Sequence, residues 1–217
     1  MTDAPIRDAA TVVVLRDGAA GPEVLMGQRG ATAAFMPSKF VFPGGALDPG
    51  DADVALAAPL APECTARLGP LAQALAAAAI RELWEETGLP LGTPGVWRSP
   101  APDDWRGFAA RGLVPDPGGL RFIFRAITPP GRPRRFDARF FLVEAGRLHG
   151  PCDDFSAACE ELSHLQWIPL AEVRRFDLPF ITEVVMAEVA AIAAGAPFDS
   201  VPFFDNSGDR PEFQRIA

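Results

Sequence analysis

A chain of 217 residues with 48% hydrophobic content is long enough to bury a substantial core and lies within the range of one large domain. Its net charge of -8 opposes nonspecific contact with nucleic acid, and would repel a phosphorylated ligand unless a divalent cation screened the site. No apolar run approaches a membrane span, and MTDAPIRDAA has no basic segment followed by an apolar one, so neither membrane nor export is expected and the cytoplasm is the default compartment.

In chain order, residues 11–16 and 23–29 are β-branched or alternating runs separated by DGAAG, which predicts an antiparallel pair of strands. Arg29 ends the second run, where it either reaches a substrate phosphate or is a solvated strand end. GATAAFMPSK follows as a loop, and Lys39, the only lysine, leads into FVFPGGALDPGD. In that run a short strand meets Pro43, Gly44 and Gly45, which lets the backbone bend sharply and expose carbonyl oxygens to a hard cation.

Residues 52–70 read as an insertion whose prolines at 59 and 62 break it into short helical pieces, either a surface excursion or one wall of a cleft. From about Leu71 an alanine-rich run of high helix propensity carries IRELWEETGL. Glu82, Glu85 and Glu86 stand at i, i+3 and i+4, on one face of that helix. Ala76, Ile80, Leu83, Trp84 and Thr87 give it an apolar face, and Gly88 suits a C-terminal cap. Like charges at this spacing cost an isolated helix roughly 0.2–0.5 kcal/mol per pair. The acidic face is therefore either a solvated surface or a metal site, and the glycine bend upstream favours the second.

Later in the chain, residues 102–111 predict a short helix burying Trp105 and Phe108. Residues 120–128 and 136–144 predict strands joined by PPGRPRR, with Phe140 and Leu142 on one face of the second and Arg139, Phe141 and Val143 on the other. Arg139 then needs a partner, either a carboxylate of the acidic helix or the substrate. Arg132, Arg134 and Arg135 form a basic rim suited to phosphate, or a solvated turn. LSHLQWIPLAEV reads as a last strand followed by a helix started by Pro169, and residues 180–194 as the final helix. His164 is expected to be structural, and Cys64, Cys152 and Cys159, odd in number and without CxxC spacing, to be reduced and non-catalytic.

Arg81 to Leu89, RELWEETGL, matches every specified position of the second half of the Nudix box, REUxEExGU with U apolar, and the chain resembles the Nudix hydrolase superfamily on that ground. Gly45 with Asp51 six residues later is similar to the first half, GxxxxxE. There an aspartate replaces the usual glutamate, and about 22 extra residues separate it from Arg81. The resemblance implies an α/β/α sandwich with a central mixed β-sheet, here one domain over residues 1–217 with the insertion inside the box. It also implies Mg²⁺- or Mn²⁺-dependent hydrolysis of a nucleoside diphosphate linked to another group.

On that resemblance Glu85, Glu86 and the Gly44 carbonyl are expected as metal ligands, with Glu82 a ligand or the water-activating base. Arg81 is expected to orient the carboxylates, Asp51 to support the loop, and Glu160 or Glu161 to supply an auxiliary base. Arg29, Gly45, Arg132, Arg134, Arg135 and Arg139 are the expected substrate contacts. The interrupted box with FPGGALD and RRFDARFF is similar to the branch that includes coenzyme A diphosphatases; ADP-ribose or NADH is the alternative substrate. The expected partner is a small nucleotide rather than nucleic acid or membrane, with a homodimer open. A Nudix fold that binds a nucleotide or a protein without turnover is the alternative of a different class.

Overall fold

A computed structural model describes residues 4–33, 35–208 and 210–217. The first three residues of the N-terminal stretch and Ala34 of the loop read above lie outside the described residues.

Strands β1 (Ile6–Gly18) and β2 (Gly21–Arg29) form the expected antiparallel hairpin, with Leu15 opposite Val24. Beyond that pair the two strands diverge, and the segment carrying β3 (Phe40–Val41) and β4 (Gly44–Ala46) enters the gap. There β3 pairs with β2, and β4 pairs with β1 through Ala9–Ala46 and Thr11–Gly44. The glycine bend is thereby fixed between two strands, and a Cβ on Gly44 would come within 2.6 Å of Ala10 O and Thr11 Cα. Only glycine lets the backbones approach this closely.

Helix α1 (Pro62–Leu68) and helix α2 (Ala72–Thr87) follow. The chain then runs through β5 (Gly92–Pro94), α3 (Arg106–Ala110), β6 (Leu113–Pro115), β7 (Arg121–Ile127) and β8 (Arg135–Glu144). It closes with β9 (Leu162–Pro169), α4 (Phe180–Ala193), β10 (Val201–Asp205) and β11 (Glu212–Ile216).

The main sheet runs β11-β10-β7-β8-β1-β2-β3, with β4 on β1 and β9 on β2. It is mixed, because β1 lies parallel to β8 and β10 parallel to β7 while the other pairs are antiparallel. Alternation along the strands sends side chains to two separate cores. Ala10, Val12, Val14, Phe141 and Val143 pack under α2, whereas Val13, Leu15, Phe140 and Leu142 pack against Val185, Met186 and Val189 of α4. The sandwich is α/β/α, as expected, and the two-sided reading of β8 holds residue by residue. No helix among the described residues is long and apolar enough to cross a membrane.

Ala76 to Ala79, Ile80 and Leu83 of α2 are all fully buried, so this helix lies flush on the sheet. Burying a side chain such as Leu83 contributes about 2 kcal/mol. Gly88 ends the helix at φ 73°, and its missing Cβ leaves room for Ala157 and Ala158 at 3.0 Å.

The insertion is not a surface excursion. Val54, Leu60 and Cys64 join the core, and the Cys64 sulfur accepts the Phe122 N–H at 3.4 Å. Gln73 of α2 donates to the carbonyls of Ala52 and Val54, so the insertion packs around the N-terminal turns of α2, away from the glutamates at its other end. The cysteines are free, as expected.

Three elements differ from expectation. The strand at 162–169 is followed by a single turn of 3-10 helix at Val173–Arg175 rather than a helix from Pro169. It is also not the last strand, since β10 and β11 follow α4, and β5 pairs with β6 where no strand is expected from the sequence.

Candidate active site

Arg81 is 4% exposed, yet it is the hub of the acidic cluster. Its Nε and Nη2 donate to the two oxygens of Asp51 at 3.0 and 2.9 Å, and Nη2 also reaches the Ala46 carbonyl. Nη1 donates to Glu82 at 2.9 Å and Glu85 at 3.1 Å, and Asp48 stands 3.6 Å from Nη2. Burial alone would make Arg81 less basic, but the hydrogen bond to Asp51 and the charges of Glu82 and Glu85 hold it firmly protonated. Asp51, 2% exposed, also accepts the Asp48 N–H at 2.8 Å and so ties the loop after β4 to α2. It supports the loop, as expected of the shorter acid.

Glu82 and Glu86 meet the glycine bend. The Gly44 N–H donates to Glu86 Oε2 at 2.7 Å, and a Cβ on Gly45 would fall 2.3 Å from Glu82 Oε1. Glu86 is 2% exposed and its Oε1 is buried with no hydrogen-bond partner. Burial, then the charge of Glu82, push the Glu86 carboxyl well above the usual range against the pull of the Gly44 N–H. Burial likewise lifts Glu82 to about 7 despite Arg81, with Glu85 and Glu161 adding to the rise. Glu85 is raised for the same first reason, opposed by Arg81.

Among the described residues no three carboxylate, imidazole or thiol groups converge as a ready-made metal cage. The cause is visible: Arg81 Nη1 draws Glu82 and Glu85 to itself, while Gly44 holds Glu86. The donor set nevertheless fits a hard divalent cation. It offers a buried carboxylate oxygen without a partner and two neighbouring carboxylates whose affinity for a proton is raised by desolvation, both features that added positive charge would relieve.

Arg29 and Glu161 also reach this region, paired Nη2 to Oε1 at 3.1 Å. Glu160 is exposed. His164 lies exposed beside a β-bulge, at φ 51°, with the Ser163 hydroxyl at 3.0 Å from its Nδ1.

Two expected substrate contacts are otherwise engaged. Arg139 pairs with Asp8 and Asp137 rather than with the acidic helix, because the parallel register of β8 on β1 sets it beside those aspartates. Arg135 is not part of an open rim: it is buried and donates to the carbonyls of Thr128 and Ser207 at 3.1 and 3.3 Å. Arg132 and Arg134 remain exposed on the turn between β7 and β8. The open hollows around Trp97 and around Arg16 lie elsewhere, and two of the acids lining the second, Glu23 and Asp153, are paired with Arg16. Converging chemistry, not concavity, marks the site.

A mixed sheet between two helices, with an arginine-centred acidic helix end facing a glycine bend, is the architecture of a Nudix domain. A crystal structure of a NUDIX hydrolase from Alicyclobacillus acidocaldarius is 33% identical, covers 90% of this chain and 98% of its own, and superposes with a TM-score of 0.68. Nudix hydrolase 7 of Caenorhabditis elegans is 31% identical over 157 residues, 67% of this chain. An RNA pyrophosphohydrolase of Roseobacter denitrificans is 32% identical over 121 residues, 54% of this chain. These matches span 46% and 66% of those two proteins. No protein-family model matches the chain. The chain belongs to the Nudix hydrolase family.

Proposed function

We propose that the chain hydrolyses a pyrophosphate bond in a small nucleoside diphosphate derivative with a divalent cation, Mg²⁺ or Mn²⁺. The observation that carries this is the partnerless, buried Glu86 Oε1 beside the Gly44–Gly45 bend. A pyrophosphate resists attack because its oxygens are already negative, and the bound cation would supply charge neutralisation and a more acidic water.

Glu86 and Glu85 are the principal ligands in this reading, with the Gly44 carbonyl as a further oxygen. Glu82, lifted to about 7, has the affinity for a proton that a base working near neutral pH requires. Arg81 keeps the carboxylates from repelling one another and orients them, and it takes no part in bond making. Asp51 holds Arg81 in turn.

Coenzyme A or an acyl-coenzyme A is the particular substrate we favour, giving 3′,5′-ADP and the phosphopantetheine. Exposed Arg132 and Arg134 on the β7–β8 turn suit an additional phosphate, although Arg135 and Arg139 have other partners. ADP-ribose and NADH are the alternatives. The name of the Roseobacter relative, an RNA pyrophosphohydrolase, adds RNA to the candidates, which the net charge of -8 disfavours.

The test is to incubate the purified chain with Mg²⁺ and coenzyme A, acyl-coenzyme A, ADP-ribose, NADH, deoxynucleoside triphosphates and triphosphorylated RNA, identifying products by mass. The expected result is cleavage within the pyrophosphate of one small nucleotide, abolished by EDTA. Binding without any product would replace hydrolysis with a non-catalytic nucleotide-binding role.

A further inference from the structure

β11 lies at one edge of the main sheet: among the described residues it pairs with β10 and with no strand beyond it. Its five residues, Glu212 to Ile216, run without a bulge and hold no proline, glycine or lysine, and four of them are exposed. Folds ordinarily guard such an edge with a lysine, a proline, a bulge or a covering element, because its free N–H and C=O groups accept another strand.

The side chains on the α4 face of this edge are as open as its backbone. The Phe213 ring lies 6.4 Å from both Phe204 and Phe124, and Phe204 lies 6.0 Å from Phe180, the first residue of α4. Phe124 belongs to the core under α4, which fixes the face. Phe213 and Phe180 are 58% and 67% exposed, so the row runs out of the core to the surface at the sheet edge. Apolar residues exposed singly are ordinary, but a contiguous row beside an open strand marks an interaction surface.

The occupant this edge fits is a second copy of itself. Antiparallel pairing of two identical strands sets a two-fold axis perpendicular to the sheet, keeps each face on its own side, and so joins only residues of the same face. An axis through Gln214 pairs the whole strand: Glu212 with Ile216, Phe213 with Arg215, and Gln214 with Gln214. Phe213 and Arg215 share a face, and across this axis they meet twice as ring and guanidinium. Arg215 otherwise donates to the Ser200 hydroxyl at 3.1 Å. An axis through Glu212 or Arg215 would set like charges opposite each other, and one through Phe213 would draw Pro211 into the ladder. A specific interface takes about 800 Å² from each partner, more than a short ladder covers, so the aromatic row has to contribute and the expected affinity is micromolar.

We infer that β11 is a homodimer interface, through which the sheet of one copy continues into that of a second about an axis at Gln214, with Phe213 and Arg215 interlocked on the α4 face. The acidic cluster under the end of α2 is on the opposite face of the sheet, so the inference stands whether or not the chain is a hydrolase.

Sedimentation equilibrium of the full chain from about 1 to 100 µM should show monomer and dimer exchanging with a micromolar dissociation constant. Phe213→Glu and Arg215→Glu should each weaken the dimer by about tenfold or more. Cysteine substitution reads the register. Gln214→Cys sets two thiols across the axis at a Cα separation of about 4.5–5.5 Å, within reach of a disulfide, whereas Glu212→Cys sets them about 14 Å apart along the ladder. Mild oxidation should link the first variant and not the second, with the parent as the control for its own free thiols.

A chain that stays monomeric throughout this range, a mass that grows beyond two copies, or a dimer unmoved by both charge substitutions would overturn the inference. So would cross-linking of Glu212→Cys to the same extent as Gln214→Cys, a comparison that decides the matter even if Phe213→Glu fails to fold.

Discussion

Two clusters of charge lie on the face of the sheet that carries α2, and they are built on opposite principles. Beyond the helix, Arg125 makes two bonds to Asp137 at 2.8 and 2.6 Å, and Arg139 bridges Asp137 and Asp8: two cations, two anions, every group answered. Under the helix end, one guanidinium serves Asp48, Asp51, Glu82 and Glu85, and Glu86 stands apart with an unanswered oxygen. The first cluster is neutral and complete. The second is anionic, with carboxyls lifted by burial, and is completed only by further positive charge. Balance marks a structural network and imbalance a site, although both contain buried arginine–aspartate pairs.

The same isosteric change should break the two clusters in opposite ways. Glu86→Gln is expected to lower kcat by about a thousandfold or more, on the order of 4 kcal/mol of transition-state stabilisation, with stability within about 1 kcal/mol of the parent. Asp137→Asn removes the charge that Arg125 and Arg139 share, leaves Arg139 only Asp8, and is expected to cost about 3 kcal/mol in urea unfolding while the folded fraction keeps its activity. An active Glu86→Gln, or an unaltered midpoint in Asp137→Asn, would dissolve the contrast.

A smaller effect sharpens it through pH. The Glu82 carboxyl has a pKa of about 7 in the fold against an ordinary value of 4.5, and Glu85 and Glu86 move in the same direction. A raised folded pKa contributes stability that is fully present below the ordinary value and lost as pH rises through the folded one. In EDTA the parent should therefore lose stability between about pH 4.5 and 7 relative to Glu82→Gln, and Mg²⁺ should flatten that slope. Melting curves that run parallel for parent and variant across this window would show that Glu82 is not buried as a charge.

Much of this was legible in the chain because it is local. Helical spacing alone brought Glu82, Glu85 and Glu86 to one face, and strand alternation alone divided Phe140 and Leu142 from Phe141 and Val143. What failed depends on register between distant segments, which no local period encodes. Arg139 is expected from the sequence to meet either the acidic helix or the substrate, yet its partner Asp8 is 131 residues away and is delivered by parallel pairing of β1 and β8. Arg135 looked like a neighbour of Arg132 and Arg134 until the start of β8 turned it inward to Ser207. The β10–β11 hairpin is missed from the sequence, though the turn-forming Asp205 to Gly208 stretch after the apolar run at 201–204 is a usable signal. In the insertion, two prolines masked the buried Leu60 and Cys64.

The mildest substitution asks whether the glycine bend matters for chemistry or only for folding. A methyl on Gly45 would meet the end of the flexible Glu82 side chain at 2.3 Å, whereas one on Gly44 would meet backbone at 2.6 Å. Gly45→Ala can therefore be accommodated by swinging a carboxylate aside, and the expected stability cost is below about 1 kcal/mol. Its expected penalty is kinetic, about tenfold to a hundredfold in kcat, because Glu82 loses the position from which it faces the bend. Gly44→Ala moves strand backbone and should lower both stability and rate. Measured together, the two variants divide the bend into a residue that shapes the sheet and one that leaves space for an acid. Equal loss of stability in both would make the whole bend structural and would remove Glu82 from the assignment of the base.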